Sequence, residues 1–205
     1  MALATYSDLL TSVASWLHRT NLTAVIPDLV VLAEARIARD LRLRRQISAS
    51  TLSSIAATQA VALPSDFLEM ENVTITTGGV DLNMEYVNIE RLNVEYPDGA
   101  YNGRPSVFSF EGNNMLLGPT PDAVYSLPIY YYARITPLAT TPTNWLLTNH
   151  PNIYLYGTLA EAGDFIQSAE LTAKWEAKYA QGVKDLQDSD DTSMFSGSAL
   201  RVRVK

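Results

Sequence analysis

Few residues in this sequence have the types and spacing that catalysis or metal binding requires. Cysteine is absent, which removes thiolate ligands and a cysteine nucleophile. The two histidines, His18 and His150, are far apart and have no companion at ligand spacing, so we interpret both as helix-end residues. The sequence has no phosphate-binding glycine loop and no serine in a nucleophile-elbow pattern. It therefore predicts a protein that is not an enzyme, with no catalytic residue, metal or cofactor.

Carboxylates are the one residue class that could still support catalysis, because a glycosidase needs two of them across a cleft. Glu69 with Glu71, or Glu85 with Glu90, could form such a pair, although nothing singles them out. The tyrosines at 130–132 could stack on sugars or anchor a protein interface. A carbohydrate-active or cell-wall-binding protein that acts through the β-rich segment 48–147 is therefore the alternative to a non-enzymatic assembly protein.

Charge is distributed unevenly along the chain, whose formal net charge is −7. Residues 1–47 carry +2, residues 48–147 carry −7 and residues 148–205 carry −2. General nucleic-acid binding needs basic surface that displaces counterions, so this balance argues against it. The acidic middle segment either repels DNA, attracts a basic partner or simply keeps the protein soluble. Neither a signal peptide nor a membrane anchor is expected.

Apolar periodicity divides the chain into helical ends and a β-rich middle. Helical spacing predicts a bundle formed by residues 1–47 and 148–187. Residues 48–147 alternate apolar and polar positions between turn residues, which predicts an inserted antiparallel β module. The fold class is thus α+β, with the choice between a sandwich and a small open barrel left open. Hairpins are expected at Gly78-Gly79 and at 111–114, and Pro128 predicts that the last strand lies at a sheet edge.

Two basic segments are candidate docking surfaces for a partner. The first is at the end of the second predicted helix, where positive charge complements the helix dipole; it comprises Arg36, Arg39, Arg42, Arg44 and Arg45. The second is the end of the sequence, where apolar and basic residues alternate as in a strand that adds to a partner's sheet edge; it comprises Leu200, Arg201, Val202, Arg203, Val204 and Lys205. Acidic and Ser/Gly-rich residues precede it, so residues 188–205 are predicted to form a flexible, extended C-terminal arm.

The order and spacing of several segments resemble a known family. The segments are the Arg-rich stretch 35–42, Leu63-Pro64-Ser65-Asp66-Phe67, Gly118-Pro119-Thr120-Pro121-Asp122, Ile129-Tyr130-Tyr131-Tyr132-Ala133 and Asn144-Trp145-Leu146-Leu147. From about Tyr6 to Leu186 the chain is similar to the head-to-tail adaptor (connector, or tail accessory) proteins of short-tailed bacteriophages.

The resemblance implies a structural virion protein assembled in the host cytoplasm. Its implied place is a homo-oligomeric ring, typically of twelve subunits, beneath the portal protein at the capsid vertex. The ring would join the portal to the tail nozzle and fibres, with DNA passing through the channel as cargo. The helices would dock on the portal, the β module would face the tail, and the terminal arm would reach a neighbouring subunit or the portal. The carbohydrate-active alternative would then be a tail protein acting through its β module.

Overall fold

The chain is an α+β protein whose helices and strands fall into two units. The computed structural model describes residues 3–19, 21–97 and 100–194. One unit contains the described residues up to Leu43 and from Ile135 onward, and the other contains those from Arg44 to Arg134. The boundaries predicted from the sequence lie after residues 47 and 147. The difference arises because residues 135–147 have few helical signals, yet Leu138 is buried in the helical core.

The helical unit contains five helices: α1 (Tyr6–Leu17), α2 (Ile26–Asp40), α4 (Trp145–Asn149), α5 (Pro151–Phe165) and α6 (Ala169–Met194). Thr5 caps α1, because its hydroxyl accepts the Asp8 N–H while the Asp8 carboxylate accepts the Thr5 N–H. Pro27 occupies the first turn of α2, where a missing N–H costs nothing. One core joins all five helices and includes Leu9, Val30, Ile37, Leu147, Tyr154, Leu159 and Tyr179.

Two helix ends differ from the sequence-based expectation. α2 ends at Asp40, because Leu41 turns to an extended conformation that buries Leu41 and Leu43. α6 extends through Met194, beyond the end predicted at residue 187. Hydroxyl groups in this last stretch bond to carbonyls one turn earlier, as Thr192 does to Asp188, so polar residues remain compatible with a helix.

The second unit is a sandwich of two four-stranded sheets. The first sheet has the order β1 (Ile47–Ser53), β10 (Ser126–Ala133), β3 (Phe67–Thr77), β4 (Val80–Asn83). The second has the order β2 (Ala60–Ala62), β8 (Asn114–Gly118), β7 (Val107–Glu111), β5 (Glu85–Tyr86). Side chains from both sheets share one core, which includes Val73, Ile75, Ile129, Phe108, Met115 and Leu117. The sequence allowed either a sandwich or a small open barrel, and this shared core between two sheets identifies the sandwich.

Most strand pairs are antiparallel, and both predicted hairpins are confirmed. β3 and β4 join at Gly78-Gly79, where both glycines have positive φ, and β7 joins β8 at residues 112–113. Two short pairs are parallel: β5 with β7, and β6 (Asn102–Gly103) with β9 (Thr120–Pro121). A 3-10 turn, Arg44–Gln46, leads into β1, and helix α3 (Ile89–Glu95) follows β5.

The prediction that Pro128 marks an edge strand was wrong. β10 lies between β1 and β3, and Pro128 is paired with Thr51 of β1. On the β3 side the register passes from Ser126 to Ile129 without including Pro128, so this ladder is interrupted where the proline has no N–H to donate. The Pro128 carbonyl instead accepts the Thr74 hydroxyl at 3.3 Å.

Candidate interaction surfaces

Arg36 forms the densest charged cluster of the helical unit. Its guanidinium donates to both carboxylate oxygens of Glu176, with Nη1 2.7 Å from Oε2, and lies 3.5 Å from the Asp40 carboxylate. It also stacks 4.3 Å above the ring of Tyr179, whose hydroxyl donates to Asp40 at 2.9 Å. The hydrogen bonds from Arg36 lower the pKa of Glu176, while burial raises the pKa of the Tyr179 hydroxyl. The cluster joins α2 to α6, so Arg36 has a structural role within the unit.

The other four arginines of the predicted basic segment occupy different environments. Arg39 is exposed on the last turn of α2. Arg42 is half-buried and donates to the carbonyls of Ala38 and Leu41, both at 2.7 Å. It thereby supplies hydrogen-bond donors to carbonyl groups at the end of the helix. Arg44 and Arg45 are exposed on the 3-10 turn of the sandwich unit and do not continue the helix as expected.

The second predicted basic segment, Leu200, Arg201, Val202, Arg203, Val204 and Lys205, lies outside the described residues. The same holds for residues 195–199 of the predicted arm.

The histidines have the positions that sequence analysis gave them. His18 follows α1 with a left-handed backbone, and its N–H donates to the Ser15 carbonyl. His150 separates α4 from α5. The prediction that both are helix-end residues is confirmed. Across residues 3–19, 21–97 and 100–194, no group of three or more His, Asp or Glu residues could hold a metal ion.

The carboxylates considered for catalysis lie on the sandwich unit. Glu69 and Glu71 are exposed on β3. Glu85 on β5 lies 3.8 Å from Arg91, which also bonds to Glu95 at 2.7 Å, so Glu85 belongs to a small surface ion-pair group on α3. Glu90 is exposed in the first turn of that helix, where a carboxylate complements the helix dipole.

An aromatic groove is the feature that sequence analysis missed. Tyr86 stacks on Phe110 with ring centroids 6.0 Å apart and meets Phe108 edge-on at 5.7 Å. Together with Met84 and part of β3 they line a groove of about 440 Å³. The Tyr86 side chain is 58% exposed. β3, β5 and β7 are separated in sequence, so only the alternation of Phe108 and Phe110 could have indicated it.

The segments that carried the family resemblance have identifiable structural roles. Asp66 accepts the Tyr131 hydroxyl at 3.0 Å and fixes the turn before β3. Gly118 packs directly against Tyr96 at the end of β8. Asn144 caps α4 through the Leu147 N–H. These segments lie at a turn, a strand end and a helix start, so their order along the chain follows the order of the structural elements in both units.

The geometry defines an α+β protein that contains a helical unit and a β-sandwich with an open aromatic groove. Among the described helices, none is both long enough and apolar enough to cross a membrane. The sequence matches the SU10 adaptor protein family over residues 4–203, and the chain belongs to that family. It is therefore a structural adaptor of bacteriophages and a component of the virion. The resemblance to head-to-tail adaptors is thereby confirmed. No curated protein matches the chain.

Proposed function

We propose that the chain forms a homo-oligomeric ring of about twelve copies beneath the portal protein. The ring joins the capsid vertex to the tail nozzle and fibres, and DNA passes through its channel. Membership of the SU10 adaptor protein family over nearly the whole chain carries this proposal. Assembly takes place in the host cytoplasm before the tail is completed.

The charge of the sandwich unit supports a role beside passing DNA. The unit from Arg44 to Arg134 contains five arginines and ten carboxylates. A net negative surface has no counterion release to gain from DNA and repels its phosphates. DNA can therefore move past such a unit without being held.

The basic residues near the end of α2 support a docking role toward the portal. Arg39 is exposed on the last turn of α2, so its charge can reach an acidic partner, and Arg44 and Arg45 are exposed on the 3-10 turn that follows. Arg42 is half-buried against the helix end and Arg36 pairs with Glu176, so these two contribute by fixing the segment. Three further basic residues, Arg201, Arg203 and Lys205, lie in the segment 200–205.

Co-sedimentation with purified portal rings of the same phage tests the proposal. At concentrations too low for copies of the chain to associate, the chain alone is expected to sediment as a monomer, and with portal rings as a ring-sized complex visible by electron microscopy. Failure to co-sediment at any ratio would contradict the proposal.

A matched pair of variants tests the arginines. Arg39→Ala removes one exposed charge from α2 and is expected to weaken portal binding and to reduce its salt sensitivity, because fewer charge pairs remain for salt to screen. Lys184→Ala removes one exposed charge from α6 and serves as the control. Equal portal affinity for the two variants would remove Arg39 from the interface.

A further inference from the structure

Within the described residues, one half of strand β3 is paired with a strand on one side only. β4 pairs with β3 only from Thr74 to Thr77. The Met84 N–H then donates to the Val73 carbonyl at 3.1 Å, and the chain crosses to the second sheet, where Glu85 pairs with Val107. Within the described chain, residues 67–72 of β3 therefore have a paired strand, β10, on one side only.

The aromatic groove lies along this free edge. Residues 69–73 of β3 form one wall, and Tyr86, Phe108 and Phe110 of β5 and β7 contribute to the other. The groove is thus a gap between the edges of the two sheets where β4 leaves one sheet and β5 joins the other. A free strand edge beside apolar pockets is the arrangement that binds an extended peptide by strand addition. Exposed edges of this kind are normally covered in proteins.

The groove combines apolar and acidic side chains. Met84 and Phe108 are buried at its base, Tyr86 is exposed at its wall, and Glu71 is exposed on β3. A strand entering this gap would meet apolar surface on one face and a carboxylate near its other face. The preferred occupant is therefore an extended segment in which apolar and basic residues alternate.

The chain itself contains such a segment. Residues 200–205 read Leu-Arg-Val-Arg-Val-Lys, and β-branched or apolar residues alternate strictly with basic ones. The segment is as long as residues 67–72, the part of β3 whose only paired strand within the described residues is β10. It lies outside the described residues and follows helix α6, which ends at Met194.

We infer that residues 200–205 of a second copy of this chain add as a strand to the free edge of β3. Leu200, Val202 and Val204 enter the aromatic groove, while the basic residues face Glu71 and solvent. The inference rests on the proposed function, in which copies lie side by side, and it names the contact that joins neighbours.

Peptide binding provides a direct test that needs neither a ring nor the portal. The chain truncated after Met194 keeps every described element and leaves the groove open. A fluorescent peptide of residues 195–205 should bind it, as measured by fluorescence anisotropy. A peptide with serine at positions 200, 202 and 204 keeps the charge and should bind at least about tenfold more weakly, because apolar anchors dominate such contacts.

Backbone methylation separates strand addition from simple charge attraction. Alternate N–H groups of an extended strand point to opposite edges, so methylating one alternate set removes the bonds to β3. One methylated set should abolish binding and the other should leave it within about twofold. Retained binding by both methylated peptides would overturn the inference.

Variants of the groove complete the peptide test. Tyr86→Ala should weaken the peptide about tenfold, and Glu71→Gln about two- to fivefold, since an exposed ion pair contributes little. Glu111→Gln removes an exposed carboxylate of the same unit outside the groove and should have no effect. Equal effects of Glu71→Gln and Glu111→Gln, or an unchanged affinity for Tyr86→Ala, would contradict the groove as the site.

Sedimentation of the full chain tests the second copy. Its mass should rise with concentration, and truncation after Met194 should remove that rise. A full chain that remains monomeric well above the peptide dissociation constant would exclude a second copy as the source. Failure to bind portal rings, with the peptide still bound, would contradict the proposed function and leave this contact intact.

Discussion

The guanidinium of Arg36 on α2 and the carboxylate of Glu176 on α6 form a two-pronged ion pair between helices distant in sequence. The pair is partly shielded, with side-chain exposures of 21% for Arg36 and 45% for Glu176. Arg36 also stacks on Tyr179 of the same helix. The Arg36 side chain of α2 thus contacts both Glu176 and Tyr179, which lie about one turn apart on α6.

The ion pair should be measurable as a coupling between its two members. Arg36→Met and Glu176→Gln are each expected to destabilise the chain, and the double variant by less than their sum. The coupling should be about 0.5–1 kcal/mol because solvent screens part of the interaction. Urea unfolding of the four proteins measures it, and strictly additive effects would show that the pair contributes nothing.

The same pair predicts a pH dependence of stability. Arg36 lowers the pKa of Glu176 below its ordinary value of 4.5 in the folded chain. The stabilisation is therefore fully present above about pH 4.5 and is lost as pH falls through the folded pKa. The difference in unfolding free energy between the wild-type chain and Glu176→Gln should shrink below pH 4.5. A constant difference from pH 7 to pH 3 would contradict this assignment.

Gly118 should not tolerate a side chain. A Cβ at this position would lie 2.9 Å from Cδ2 of Tyr96 and 3.0 Å from Cγ2 of Val107. Gly118→Ala is therefore expected to cost about 1–3 kcal/mol through overpacking. Gly103→Ala is the control, because its Cβ would meet only Pro119 Cγ at 3.8 Å. Thermal unfolding compares the two, and equal melting temperatures would show that Tyr96 moves freely.

Asn144 should be important for the entry into the last helices. Its side chain accepts the Leu147 N–H at 2.9 Å and donates to the Thr136 carbonyl and the buried Tyr154 hydroxyl. Asn144→Ala is expected to cost about 1–2 kcal/mol, since a cap and buried bonds are lost together. Asn149→Ala, at an exposed position on the same helix, should change stability by less than about 0.5 kcal/mol. Denaturant unfolding separates the two variants, and similar costs would contradict the proposed role.

Local signals predicted much of the fold because they act between residues close in sequence. The Thr5–Asp8 capping box and the Gly78-Gly79 hairpin each depend on a few adjacent residues, and both are present. Helix α3 was not predicted, although Asn88 caps it by accepting the Arg91 N–H at 2.7 Å. A helix this short has too few apolar repeats for its periodicity to be recognised between strands, and one capping residue before it is not enough to indicate it.

The features that could not be predicted from the sequence depend on strand pairing and packing between residues that are distant in the chain. Pro128 signals an edge only if the neighbouring ladder is unbroken, and the pairing of β10 with β3 omits Pro128, so the proline is accommodated in a central strand. The arginines between residues 36 and 45 lie in different environments because the burial of Leu41 and Leu43 ends helix α2 at Asp40. The groove required β4 and β5 to belong to different sheets, which no local pattern encodes.

The pairing of β1 with β10 has a consequence for how the two units are connected. Ile47 faces Tyr132 across the ladder, so the strand that enters the sandwich and the strand that leaves it are hydrogen-bonded neighbours. Paired Cα atoms in such a ladder are about 5 Å apart. The chain therefore enters and leaves the sandwich unit at adjacent points, which is the arrangement under which insertion of a domain into another is tolerated.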